Sequence, residues 1–139
     1  MNKEIRELAP KVVWNKFADL NAVPRPSIRK PATVGYENRK MVTLQSHLDM
    51  VHQKNNDTVF DFEKQGIEMF VADDWVKAKE TTLGADNGLG VATIMALLES
   101  NDIPHPALEA LLTIDEETGM TGAMGLKKDI LKGEILLNL

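Results

Sequence analysis

Three short stretches of this sequence carry the residue types that hold metal ions and move protons. His47 and Asp49 stand two apart at the end of a predicted strand, so both side chains project from one face of it. In a metal site that spacing lets the carboxylate hold one imidazole nitrogen while the other nitrogen ligates the ion. A plain surface His-Asp pair has the same sequence. Asp86 lies in Leu83-Gly84-Ala85-Asp86-Asn87-Gly88-Leu89-Gly90, whose glycines permit unusual backbone angles and close approach to a ligand. The stretch lacks the Lys-Ser/Thr of a phosphate loop and the spacing of the dinucleotide fingerprint, and a helix N-terminus capped by Asp86 or Asn87 accounts for it as well. Glu116 and Glu117 follow an apolar strand, with Gly119 and Gly122 close behind. Adjacent carboxylates at the carboxyl end of a parallel sheet can divide the labour, one binding a cation and one taking a proton from water; a solvated acidic turn is the alternative. Asp115 points to the opposite face from Glu116 if the strand continues, and is left out of the set.

Cysteine is absent, so disulfides and thiolate metal sites are excluded and any metal must be held by His and carboxylates. His52 and His105 stand alone in loop-like sequence and read as structural or solvated. Asn56-Asp57-Thr58 matches a glycosylation sequon by chance in a chain with no export signal.

The elements that must position these residues alternate along the chain. An amphipathic helix is predicted over residues 5–20 from Ile5, Leu8, Val12, Val13, Phe17 and Leu20, divided or kinked at Pro10. Pro24, Pro26 and Pro31 mark a turn or linker over 23–31. A strand is expected over 41–48, then a polar loop over 53–57 and a short strand within 69–78. The glycine-rich loop feeds a helix over 91–98, stopped by Asn101, Asp102 and Pro104. An apolar strand over 107–114, a helix over 122–131 and a strand over 135–139 complete the order. Strands alternating with helices predict an α/β fold, a mostly parallel sheet sandwiched by helices.

Composition bounds the function classes. The 139 residues carry 16 Lys plus Arg against 21 Asp plus Glu, a net charge of -5, so a nucleic-acid partner is not expected. Aromatic residues at 5% are too few for a base-stacking platform. With 43% hydrophobic and 27% charged residues the chain is an ordinary globular one, and its length fits one domain. The longest nearly apolar run, 91–98, is far short of a membrane span, and Glu4 and Glu7 stand where a signal peptide needs an uncharged core. No membrane association is expected, and a cytoplasmic location is.

Taken together, Ser46-His47-Leu48-Asp49-Met50-Val51, Thr81-Thr82-Leu83-Gly84-Ala85-Asp86-Asn87-Gly88 and Asp115-Glu116-Glu117-Thr118-Gly119-Met120 resemble the co-catalytic di-zinc peptidase family that includes aminoacylases and carnosinases. Ile28-Arg29-Lys30-Pro31-Ala32-Thr33, Glu37-Asn38-Arg39 and Gln53-Lys54-Asn55-Asn56-Asp57-Thr58 favour its Xaa-His dipeptidase subgroup. Three motifs in the right order are far more specific than any one. The resemblance implies two zinc ions, with manganese or cobalt as substitutes, held by His47 on one side and Glu117 on the other with Asp86 bridging. It implies catalytic roles for Asp49, which orients His47, and for Glu116, the general base toward water activated between the ions. It implies a cis peptide bond between Asp86 and Asn87. The expected reaction is hydrolysis of aminoacyl-histidine dipeptides, with a small peptide as the partner and a homodimeric parent.

The sequence also departs from the family. A further ligating Asp expected just after Leu137-Asn138-Leu139, a His far downstream and a separate lid domain have no counterpart, and Glu80 replaces a usual Gly. A helix and strand, on the order of thirty residues, are missing between Ser27 and Ile28. Residues 1–139 therefore read as a partial catalytic domain with an internal deletion near 27–28, inactive by itself. A related di-zinc tripeptidase or aminoacylase, or a non-catalytic cation-binding module, are the alternatives.

Overall fold

The computed structural model describes residues 28–139. The predicted helix over 5–20 and the proline turn at 24–26 lie outside the described residues. The described chain divides into two units: residues 51–83 in one, and residues 28–50 with 84–139 in the other.

The larger unit is built on a four-stranded sheet of order β1-β5-β2-β6, with β1 at Ile28–Lys30, β2 at Val42–His47, β5 at Leu108–Thr113 and β6 at Ile135–Asn138. β2 runs parallel to both β5 and β6, and only β1 is antiparallel, against β5. This is the mostly parallel α/β arrangement expected. β1 itself departs from expectation, because its three residues fall in the stretch read as a linker. Pro31 closes the strand, and the short segment forms because an edge strand needs few ladder bonds.

The main helix, α1, runs Ala85–Glu99 and begins inside the glycine-rich stretch, earlier than predicted. Its Ile94 is fully buried and meets Leu44, Leu108 and Ala110, with Ile28, Val42, Leu97, Leu98 and Leu112 around them. Burying Ile94 alone stabilises the unit by about 2 kcal/mol. Leu44 and Ala110 face each other across the β2–β5 register, so the helix packs on one face of the sheet. The other face carries Thr43 and Glu109, also paired in register and also buried.

The helix expected over 122–131 is only one turn, α2 at Thr121–Met124. Gly122 and Gly125 weaken helix propagation, and Asp129 takes a left-handed φ of 66°, which no helix accepts.

The smaller unit contains an antiparallel hairpin, β3 at Met69–Ala72 and β4 at Trp75–Ala78. A single strand was expected there. Asp73 and Asp74 instead form a two-residue turn with Asp73 at φ 55°, a conformation that Asp tolerates better than most residues. Among the described residues no helix is long and apolar enough to cross a membrane.

Candidate metal centre

In a parallel pair the strands end side by side, so whatever follows β2 and β5 shares one edge of the sheet. His47 is the last residue of β2 and lies opposite Thr113, the last of β5. Asp49 follows the first strand and Glu116 and Glu117 follow the second. Asp86 comes from the first turn of α1, where Asp86 and Asn87 leave helical dihedral angles and the bond between them is cis. All five belong to the larger unit.

The imidazole of His47 is buried at 6% exposure, and both its nitrogens are engaged. Nδ1 lies 3.1 Å from the main-chain oxygen of Asp49. A carbonyl only accepts, so Nδ1 carries the hydrogen. Nε2 then points at Asp86 Oδ1, 3.0 Å away, with Glu116 Oε2 at 3.8 Å. Two acceptors facing a ring nitrogen require a positive charge between them or on the ring. In the metal-free protein a proton on Nε2 meets that need, which favours the charged imidazole. Burial pulls the His47 pKa down, but the Asp86 hydrogen bond, the Asp49 carbonyl and the charges of Asp49 and Glu116 outweigh it, leaving the pKa above its ordinary value of 6.5.

A divalent cation would serve the same purpose. Ligand atoms of His47, Asp86 and Glu117 all lie within 4.8 Å of one another, which makes them a group able to hold one. One buried imidazole and two exposed carboxylates form an N/O donor set of the kind that several divalent cations accept. The donor set fits a metal ion on chemical grounds, with fewer side chains than a full ligand shell needs.

Asp49 is placed differently from the sequence expectation. Its carboxylate Oδ1 stands 3.5 Å from Nδ1, and its main-chain carbonyl is the nearer group. Asp49 Oδ2 instead accepts the main-chain N–H of Glu117 at 3.0 Å. Burial raises the Asp49 pKa, yet the amides of Glu117 and Glu116 and the His47 charge overcome that and hold it below its ordinary value. Asp49 therefore ties the histidine to the turn bearing the two glutamates, by its backbone on one side and its carboxylate on the other.

Asp115, left out of the sequence-derived set, builds that turn. It sits at φ 63°, and its carboxylate accepts the hydroxyls of Thr118 and Thr121, which lower its pKa. Its carbonyl accepts the N–H groups of Gly119, at 3.3 Å, and Met120, at 2.6 Å. The signal in the sequence is an Asp followed three and six residues later by Thr, the spacing of side chains that compete for local backbone and hydroxyl bonds. The other two histidines have partners of their own: the ring of His52 packs on Phe62 at 5.2 Å, and buried His105 donates from Nδ1 to the Pro106 carbonyl at 2.7 Å.

No protein-family model matches the chain. The cytosol non-specific dipeptidase of Escherichia coli is 44% identical over 165 residues, a match covering 97% of this chain and 34% of that protein. A crystal structure of an aminoacylhistidine dipeptidase from Vibrio alginolyticus aligns with a TM-score of 0.80 at 43% identity, covering 96% of this chain and 34% of that one. The aminopeptidase PepT of Bacillus cereus aligns with a TM-score of 0.64 at 24% identity, over 93% of this chain and 36% of its own, a likeness of fold. The chain spans about a third of the length of these relatives.

Proposed function

We propose that this chain, a homologue of the dipeptidases over about a third of their length, carries the part of a peptide-hydrolysing centre that holds a divalent cation and positions a general base. The observation that carries the reading is the commitment of His47 Nδ1 to a carbonyl, which leaves Nε2 facing Asp86 with Glu117 within reach. In the complete enzyme His47 and Glu117 would each hold one of two zinc ions and Asp86 would be shared. When bound, the ions supply Lewis-acid activation of water and of the scissile carbonyl. Glu116, half-exposed beside the group, takes the proton from the attacking water and passes it to the leaving amine. Asp49 keeps the imidazole and the glutamate turn in one register.

The substrate class is a small peptide, and the Vibrio relative's name favours an aminoacyl-histidine dipeptide. The name of the Escherichia coli relative supports a cytosolic setting and a broader dipeptide range. Residues 1–139 are a partial catalytic domain. The match over 165 residues, longer than this 139-residue chain, supports a shortening within it, and the proposal puts that shortening near residues 27–28. A homodimeric parent remains part of the proposal.

A zinc ion takes about four donors, and the three side chains grouped among the described residues cannot fill two such shells. The chain alone therefore binds zinc weakly and does not turn over peptide. Calorimetric titration with zinc, run beside hydrolysis of an Xaa-His dipeptide, tests this. Weak binding without turnover is expected; tight binding of two ions with turnover would show the centre complete in these residues. A chain that takes up no divalent cation at all would overturn the metal reading itself.

A further inference from the structure

Asp86 has the least support of any member of the group. Its side chain is 83% exposed, so no packing fixes its rotamer, and its backbone has left the helix that follows. An exposed carboxylate in a non-helical first turn has many orientations to lose before it can share a cation. Something other than helix geometry must hold it 3.0 Å from His47.

We infer that Ser46, Asn87 and Gly90 form a latch that positions Asp86 for the cation, an inference that rests on the proposed metal centre. Ser46 precedes His47 on β2 and is fully buried. Its hydroxyl donates to the Asn87 main-chain oxygen at 3.2 Å. The Asn87 side-chain amide donates to the Leu139 main-chain oxygen at 2.5 Å, just beyond β6. Leu139 is held in turn by its own N–H on the Gln45 carbonyl of β2 at 3.0 Å. Two neighbours on β2 thus grip two neighbours at the start of α1: His47 meets Asp86, and Ser46 meets Asn87. The second grip fixes the backbone from which the Asp86 carboxylate projects.

Gly90 is the third part because of the room it leaves. A Cβ at Gly90 would stand 2.5 Å from Ser46 Oγ and closer still to Asn87 Oδ1, so both latch side chains would have to move. A Cβ at Gly88, one half-turn earlier in the same helix, would meet nothing within 4 Å. Helix propensity treats the two glycines alike. The latch treats them differently, and that separates positioning from helix stability.

The test is cobalt(II) titration of the whole chain by calorimetry, with thermal melting of each metal-free variant. Ser46→Ala and Gly90→Ala are expected to weaken affinity by roughly tenfold, the usual effect of losing a group that orients a ligand. Gly88→Ala is expected to raise the melting temperature and leave affinity unchanged. A merely structural role for Ser46 would lower the melting temperature and spare the affinity of the folded chain. If Ser46→Ala and Gly90→Ala bind cobalt as the unaltered chain does, while Asp86→Asn does not, the latch is refuted and the metal centre stands. If Asp86→Asn binds as the unaltered chain does, or the unaltered chain binds no cobalt, the centre is wrong and the latch falls with it. Should Gly90→Ala fail to fold, Ser46→Ala, which removes one oxygen and adds no bulk, decides the matter.

Discussion

The same sheet holds two sets of carboxylates that are treated in opposite ways. Near the start of β5, Glu109 is fully buried and receives every bond a carboxylate can use. Arg29, its register partner on β1, donates from Nε at 2.9 Å and brings Nη2 to 2.8 Å as an ion pair; Thr43, its register partner on β2, donates its hydroxyl at 2.9 Å. The N–H groups of Lys132 and Gly133 add two more, at 2.9 Å and 3.0 Å. At the carboxyl end of β2 and β5, Asp86 and Glu116 converge on a single imidazole nitrogen, and Glu117 joins them with its own amide turned toward Asp49. One end has more donors than charge and the other more charge than donors. A closed set of bonds stabilises a fold, whereas an open negative set facing a histidine is poised to take a cation.

The largest expected effect lies at the closed end. Burial raises the Glu109 pKa, but the amides of Lys132 and Gly133, the guanidinium of Arg29 and the Thr43 hydroxyl bring it from 4.5 down to about 2. A depressed folded-state pKa contributes stability that is present above 4.5 and is lost as pH falls toward 2. The shift corresponds to about 3 kcal/mol. Glu109→Gln presents an amide to donors that need an acceptor, so it is expected to cost about 3 to 5 kcal/mol at neutral pH and to flatten the acid limb of the stability profile. Urea denaturation between pH 7 and pH 2.5 checks both. A loss under about 1 kcal/mol would show that burial had cancelled the pairing and would remove the contrast between the two ends.

Next in size are the ligand replacements at the open end. His47→Ala, Asp86→Asn and Glu117→Gln are each expected to lower zinc affinity at least tenfold, about 1.4 kcal/mol. Because the Asp86 and Glu117 side chains are exposed, their replacement is expected to change metal-free stability by no more than about 0.5 kcal/mol. Glu109→Gln in the same titration should bind zinc as the unaltered chain does once both are folded. If Glu109 and Asp86 variants affected binding and stability in equal proportion, the two ends would be one cooperative unit and the division would fail.

Asp115 lies between these extremes. Asp115→Ala removes the acceptor for Thr118 and Thr121 and loosens the turn that presents Glu116 and Glu117. A loss of zinc affinity of a few-fold is expected, smaller than that of a ligand replacement, with Asp115→Asn recovering part of it through the remaining carbonyl oxygen. Calorimetry on the three chains checks the order. Equal affinities would leave the turn to Asp49 and to the main-chain carbonyl of residue 115.

The contrast also explains what was legible in the sequence. The parallel sheet followed from short strand-like segments separated by a helix: 108–113 is apolar but for Glu109 and Thr113, and 42–47 offers Val42, Thr43 and Leu44. The residues that converge were legible as types at strand ends, and family order supplied their grouping. The strand at Ile28–Lys30 was hidden because its partner is an ion pair across the sheet, and Arg29 looks like any surface arginine until Glu109 is opposite it. Glu109 was visible as the one charge in an apolar run, and its donors were not, since two of them are backbone amides more than twenty residues away. The hairpin turned on Asp73 adopting a left-handed angle, a choice that hydrophobic alternation does not encode. Ser46 and Asn87 stand inside the quoted motifs, but their bond to each other was not legible there; only the placement of β2 beside the start of α1 brings them together.

The smallest effect is the pH response of the open end, and its sign is opposite to that of Glu109. The folded-state pKa of His47 is raised above 6.5 because its carboxylate and carbonyl neighbours prevail over burial. A raised pKa contributes stability that is fully present below the unfolded value and is lost as pH rises through the folded value. Metal-free chain should therefore soften slightly on the alkaline side of 6.5, where Glu109, already ionised, contributes a constant term. Proton and cation compete for Nε2, so zinc affinity should climb over the same interval in which metal-free stability declines. His47→Gln keeps a hydrogen-bonding side chain and cannot titrate, and it is expected to abolish both slopes together. Thermal melts and zinc titrations between pH 5.5 and pH 8.5 measure the two trends. A metal-free stability that rises with pH in that interval, or a zinc affinity indifferent to it, would mean that His47 is neutral in the folded chain, and Asp86 would then have to be facing something other than the proton which the cation displaces.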